Sequence, residues 1–219
     1  MKWLNISLVA LLTVLPAKVA GGEIICTDTV PPVYGLAGDS LPLDATSPLS
    51  LLNEHFDGAV KNQPFAAEGW KNLAMEGTRA WWGYEFPETD ATAGEKAAKV
   101  TPYDSKVEEG NETPCEMLLV TPALDYVNAA SKMFTFRVRG DYLYDEMPDK
   151  LELVYIELNN GEMGTYPVTG FSMPATKDES GEWREFHIDL AQLEPADVFF
   201  MGFRFASTRG TANSATYYI

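Results

Sequence analysis

Histidine and cysteine are nearly absent from this chain, which has two of each in 219 residues. A nucleophile–histidine–acid constellation can therefore draw only on His55 and His187. His187 falls on the polar face of an alternating segment, which reads as structural or solvent-facing. The two cysteines show no zinc-site spacing. No Gly-x-Ser-x-Gly elbow, His-Glu-x-x-His helix or phosphate-cradling glycine loop occurs either. Basic residues are scarce too, 16 against 32 acidic, for a net charge of −16. That balance repels phosphate backbones and leaves no basic stripe, which argues against nucleic acid as a partner. Apart from the N-terminus, no apolar run approaches the roughly 20 residues that a membrane span needs. Most of the acids are read as a solvated surface that keeps the chain soluble.

At the N-terminus, Lys2, an apolar run from Leu4 to Leu15 and the small residues Ala20-Gly21-Gly22 read as a signal segment over residues 1–22, with the exported chain starting near Glu23. Pro16 and Lys18 break the run too early for a span. Residues 1–22 hold two lysines and no acid, so the remainder carries 14 basic and 32 acidic residues, a net −18. Residues 23–49 contain Pro31, Pro32, Pro42 and Pro48 without periodicity and read as a tether. Residues 50–219 have the length of one domain. Export would let Cys26 and Cys115 form a disulfide, and the reading leaves open a bridge or two separate thiols.

The domain alternates with a period of two. Phe134, Phe136 and Val138 share one face while Thr135, Arg137 and Arg139 share the other. Phe186, Ile188 and Leu190 likewise oppose Glu185, His187 and Asp189. Val198 to Phe205 is apolar on both faces as far as Arg204, as a central strand would be. Leu151 to Leu158 is similar, and Asn159-Asn160-Gly161 then turns it into a hairpin with Tyr166 to Val168. Further strands are expected at Leu51–Phe56, Ala80–Phe86, Ala97–Val100 and Glu116–Val120, with one short helical turn inside Ala191–Asp197. No internal repeat and no long helix interrupts them. The fold class is all-β: an antiparallel β-sandwich or jelly roll.

Several short stretches resemble, in order, the choice-of-anchor J or cleaved-adhesin jelly-roll domains of bacterial surface and secreted proteins. They are Glu54-His55-Phe56-Asp57-Gly58, Gly69-Trp70, Trp81-Trp82-Gly83-Tyr84, Lys96 to Val100, Leu118 to Asp125, Ile188-Asp189-Leu190 and Phe203-Arg204-Phe205. The resemblance implies a secreted, cell-surface or periplasmic location in a bacterium, and a structural calcium ion with Glu54 and Asp57 among its ligands. The family's last strand reads aromatic-Tyr-Ile-Asp-Asp, of which Tyr217-Tyr218-Ile219 matches the first part. An unfinished last strand is expected to leave a C-terminal edge that a partner strand could extend.

The aromatic residues Trp70, Trp82 and Tyr84 are the candidate ligand-binding residues, since a flat π-face suits the apolar face of a sugar ring. Trp81 and Trp82 are adjacent on one strand, so one points inward and the other outward. These observations point to a non-catalytic extracellular module that binds or adheres to glycan or protein. Two other readings remain: a secreted sandwich-fold glycoside hydrolase, whose paired carboxylates would converge in space rather than along the chain, and a structural spacer.

Overall fold

The computed structural model describes residues 43–90, 92–103, 113–144, 149–159, 162–208 and 214–219. The expected signal segment, residues 23–42 of the expected tether, Cys26 and the Asn160-Gly161 turn lie outside them. The strands are β1 (Lys71–Glu76), β2 (Trp82–Glu85), β3 (Lys96–Val100), β4 (Cys115–Val120), β5 (Leu124–Asp125), β6 (Met133–Asp141), β7 (Lys150–Asn159), β8 (Glu162–Pro167), β9 (Trp183–Asp189), β10 (Val198–Ser207) and β11 (Thr216–Tyr218). The anticipated helical turn is a single 3-10 turn at Leu190–Gln192, whose start is capped by the Asp189 carboxylate.

Two antiparallel sheets result. One runs β1-β4-β10-β7-β8, with β5 paired to the end of β10, and the other runs β2-β3-β11-β6-β9. Within them β4-β10-β7-β8 and β3-β11-β6-β9 follow the jelly-roll order, in which the chain passes from sheet to sheet and the last strand lies beside an early one. The core lies between the sheets. Phe199, Met201, Phe203 and Phe205 of β10 meet Phe136 and Val138 of β6, Phe186 and Ile188 of β9, and Tyr217 of β11. Phe136 joins the layers, stacked on Phe186 at 5.2 Å and edge-on to Phe203 at 5.1 Å. The other face of the first sheet is covered as well: Leu118, Val120, Val154, Ile156 and Phe200 pack with Leu43 and Ala123. This second covered face is why β7 and β10 are apolar on both sides. It also draws Leu43 and Ala45, which composition placed in the tether, into the packed unit.

Two expectations need correction, and one strand was not expected. Leu51–Phe56 is not a strand: Leu51 is 79% exposed, and Phe56 adopts a left-handed φ of 58°, which turns the chain toward Asp57-Gly58. The Glu54 carboxylate accepts the Phe56 N–H at 2.7 Å and holds that turn. Conversely, β1 was not expected: its alternation is confined to half-buried Leu73 and Met75 against exposed Ala74 and Glu76. It is a half-buried edge strand with an irregularity between Ala74 and Glu76. Finally, the C-terminal strand is not an edge. β11 pairs with β3 on one side and β6 on the other, so no partner strand can extend the sheet beside it.

Candidate functional site

Two surfaces gather the candidate residues. The first is a groove of about 760 Å³ at one end of the sandwich. Its outer wall is the segment after Leu49, which is tied to the first sheet by Leu49 N–H to Ala123 O (2.8 Å) and Asp125 N–H to Leu49 O (2.9 Å). The segment then crosses the open end of the sandwich. It is anchored by Phe56, which packs edge-on against Phe65 at 5.0 Å and Trp70 at 5.2 Å. Gly69 has φ 75°, and a Cβ there would sit 2.9 Å from Cγ of Pro122, so glycine lets these loops close together. The Thr121-Pro122 pair is structural for a second reason. Thr121 Oγ1 accepts the Met201 N–H at 3.0 Å, and its own N–H donates to Met201 O at 2.9 Å.

Glu54, Asp57 and Trp70 all line this groove. The Trp70 indole N–H is buried and meets no acceptor among the described residues. The fit to calcium is incomplete. Among the described residues no three His, Cys, Asp or Glu side chains come together as a metal site. Glu54 is engaged with the Phe56 N–H, and the Lys96 ammonium donates to the Asp57 carbonyl at 2.6 Å. A cation that takes about six to eight oxygens would find two carboxylates here and an ammonium in its way.

Trp82 and Tyr84 lie elsewhere, on the outer face of the second sheet. Trp81 is wholly buried and Trp82 is 42% exposed, as their adjacency on a strand required. The register sets Trp82 opposite Lys99, Lys99 opposite Tyr218, Tyr218 opposite Arg139, and Arg139 opposite Trp183. Aromatic rings and cations thus alternate across all five strands. Lys99 Nζ lies 5.0 Å from the Tyr84 ring, Arg137 lies 4.8 Å from the Trp183 ring, and Arg139 lies 5.0 Å from the Phe86 ring. Burial lowers the Lys99 pKa, an effect the nearby Asp141 opposes, while burial raises that of the Tyr218 phenol. Arg139 is held by Asp90 and Asp141, each at 2.9 Å. Lys99, Tyr218 and Trp183 went unrecognised as members of this face because their neighbours become visible only once strand register is known.

His187 is exposed. Its ring lies 3.1 Å from Thr135 Oγ1 and 2.9 Å from a Glu185 carboxylate oxygen, in a polar row on the same open sheet. Cys115 is buried and has no disulfide partner among the described residues, and burial raises its thiol pKa. A bridge to Cys26 lies outside the described residues.

These features define an antiparallel jelly-roll sandwich with an end groove and an aromatic outer face. No protein-family model matches the chain, and no curated protein matches it. Among solved structures, the K1 cleaved adhesin domain of Lys-gingipain from Porphyromonas gingivalis W83 is similar over 75% of this chain and 92% of its own, at 17% identity and a TM-score of 0.47. A carbohydrate-binding module of promiscuous specificity from the β-sandwich superfamily is similar over 73% of this chain and 60% of its own, at 14% identity and a TM-score of 0.41.

Proposed function

We propose that this protein is a non-catalytic binding module acting outside the cell, and that the outer face around Trp82 and Tyr84 takes a glycan. The observation that carries the proposal is Trp82. It is 42% exposed, although its neighbour Trp81 is completely buried and the same face holds Tyr84 and Lys99. Exposing a large indole on a regular strand forgoes the burial of apolar area at about 25 cal/mol per Å². An indole beside a tyrosine and an ammonium offers a sugar ring both a stacking surface and a hydrogen-bond donor. Export is inferred from the N-terminal segment.

A glycan array followed by titration calorimetry tests this. Trp82→Ala should weaken binding at least tenfold, about 1.4 kcal/mol, while the melting temperature stays close to that of the parent. Undiminished binding by Trp82→Ala would remove the face from the proposal. Turnover of chromogenic glycosides that disappears when one acidic residue is replaced would overturn the non-catalytic reading.

A further inference from the structure

The aromatic outer face continues past Trp82. Register sets the ends of β3 and β6 beside the starts of β2, β9 and β11, so these strand ends gather at one end of the second sheet. Every exposed tryptophan, tyrosine or phenylalanine among the described residues stands there: Trp82 at the start of β2, Tyr103 just past β3 at 52% and Tyr142 just past β6 at 75%. Tyr142 holds a left-handed φ of 58°, which is strained for a bulky side chain and is the kind of strain that ligand sites retain. It does so without packing in return. A Cβ on Gly140 would lie 2.8 Å from Leu143 Cδ1, so it is Leu143 that folds back on β6 while the Tyr142 ring faces solvent. Burial above all, then Asp141, Tyr84 and Tyr142, raises the Tyr218 phenol, so the Tyr142 phenol lies within electrostatic reach of Tyr218. Between the strands that carry Trp82 and Tyr142 is half-buried Lys99. Its ammonium lies over Tyr84 at 5.0 Å and Tyr218 at 6.0 Å, and no ion pair or hydrogen bond holds it among the described residues. Asp141, the carboxylate that acts on it electrostatically, already holds Arg139, with Oδ1 at 2.9 Å from Nε and Oδ2 at 3.3 Å from Nη2.

We infer that Tyr142 is a second aromatic platform of the glycan site, and that the ligand is an acidic oligosaccharide laid across the strands from Trp82 to Tyr142 with a carboxylate on Lys99 between them. This rests on the proposal that the outer face takes a glycan, and it adds the ligand's length and charge. Length follows from strand order. Trp82 and Tyr142 rise from strands three spacings apart, about 14 Å, which a single sugar ring does not span. A chain already stacked on one ring meets the second at high effective concentration, so the site favours the longer ligand. Charge follows from Lys99. A half-buried ammonium without a counter-ion has lost part of its hydration, and a ligand carboxylate supplies the charge-assisted partner that a neutral hydroxyl does not. The tyrosine rings around the ammonium also offer apolar faces on which the sugar that carries the carboxylate can rest.

The probes are linear uronate oligosaccharides of one to four units, built from galacturonate, glucuronate or mannuronate, each beside its methyl ester and beside neutral cello-oligosaccharides of the same lengths, titrated calorimetrically into the full chain. A four-unit uronate should bind at least tenfold more tightly than the single unit and at least tenfold more tightly than its own ester. Tyr142→Gly removes the ring and accepts the positive φ without strain, so it should melt no lower than the parent and lose the gain from length. Tyr142→Phe keeps the ring and should keep that gain. Lys99→Met keeps the apolar stem and should bring the acid down to the affinity of its ester. Equal binding of acid and ester, preference for the neutral series, or a length gain that survives Tyr142→Gly would overturn the inference, while dependence on Trp82 would still uphold the glycan face. Loss of the gain in Tyr142→Phe would assign the effect to the hydroxyl and overturn the platform. A fall of many degrees in the melting temperature of Tyr142→Gly or Lys99→Met would make that side chain structural, with the same consequence. If no glycan binds, or if Trp82→Ala binds them undiminished, the glycan reading itself falls and this inference with it.

Discussion

Asn72 on β1 reaches two other segments of the chain. Its Nδ2 donates to Phe65 O at 3.2 Å and to Trp81 O at 2.8 Å, while its Oδ1 accepts the Trp81 N–H at 2.9 Å. One side chain thereby holds β1, the loop before it and the approach to β2, and it positions the wholly buried Trp81 ring. Removing Asn72 leaves the Trp81 N–H and the Phe65 carbonyl without that partner in a half-buried site, while Trp81 O keeps the Phe65 N–H, and each such loss costs roughly 1–3 kcal/mol if water cannot replace it. Asn72→Ala is therefore expected to destabilise by about 2–4 kcal/mol in urea unfolding. A loss within 0.5 kcal/mol would show that water takes over all three bonds.

At the scale of elements, β2 would be an exposed sheet edge were it not covered by the Val60–Phe65 segment. Asn62 N–H donates to Gly83 O at 3.1 Å, Gly83 N–H to Gln63 O at 2.8 Å, and Phe65 N–H to Trp81 O at 2.8 Å. This close approach explains Gly83, since a Cβ there would lie 2.4 Å from the Val60 carbonyl oxygen. Gly83→Ala should push the covering segment off and destabilise by about 1–3 kcal/mol, with faster hydrogen exchange at Asn62 and Phe65 as its signature. Strands with one wet face, such as β6 and β9, were legible in the sequence because Phe134, Phe136, Phe186 and Ile188 alternate with polar residues. The buried centre was legible as well, because β10 is apolar on both faces. Two kinds of information were not local enough to read. β1 alternates only over Leu73 to Glu76, too short a stretch to stand out, and the central place of β11 follows from pairing with β3 and β6, which no pattern within Thr216–Ile219 encodes. The candidate site divided in the same way. Trp82 beside Trp81 could be read from adjacency alone, whereas the separation of Trp70 from Trp82 and Tyr84 required the fold.

For the whole molecule, charge decides how stability varies with pH. The chain carries 32 acids against 16 basic residues, so self-repulsion acts at neutral pH. Against it stand carboxylates that the fold holds ionised. Asp90 is bonded by the backbone and hydroxyl of Thr92 and then by Arg139, Asp125 by Asn128, and Glu179 by the backbone N–H groups of Ala175 and Thr176 and by Arg184. All three are lowered from ordinary values of 3.8 for aspartate and 4.5 for glutamate. A depressed carboxylate stabilises the fold above its unfolded pKa, and that contribution disappears as pH falls through the folded value. The two effects therefore occupy different windows. Between about pH 5 and 7 the acids stay ionised and repulsion dominates, so raising salt from 10 to 200 mM should increase the melting temperature by screening it, the Debye length falling from about 30 Å to below 8 Å. Below about pH 4 the unfolded chain binds protons that the folded one resists, so stability should fall steeply however much charge has been neutralised. Glu179→Gln should flatten that acid limb and leave the salt response at pH 7 almost unchanged. A melting temperature that falls with salt at pH 7 would mean that the ion pairs of Arg139, of Arg184 with Glu179, and of Arg204 with Glu116 and Glu152 outweigh the acidic surplus.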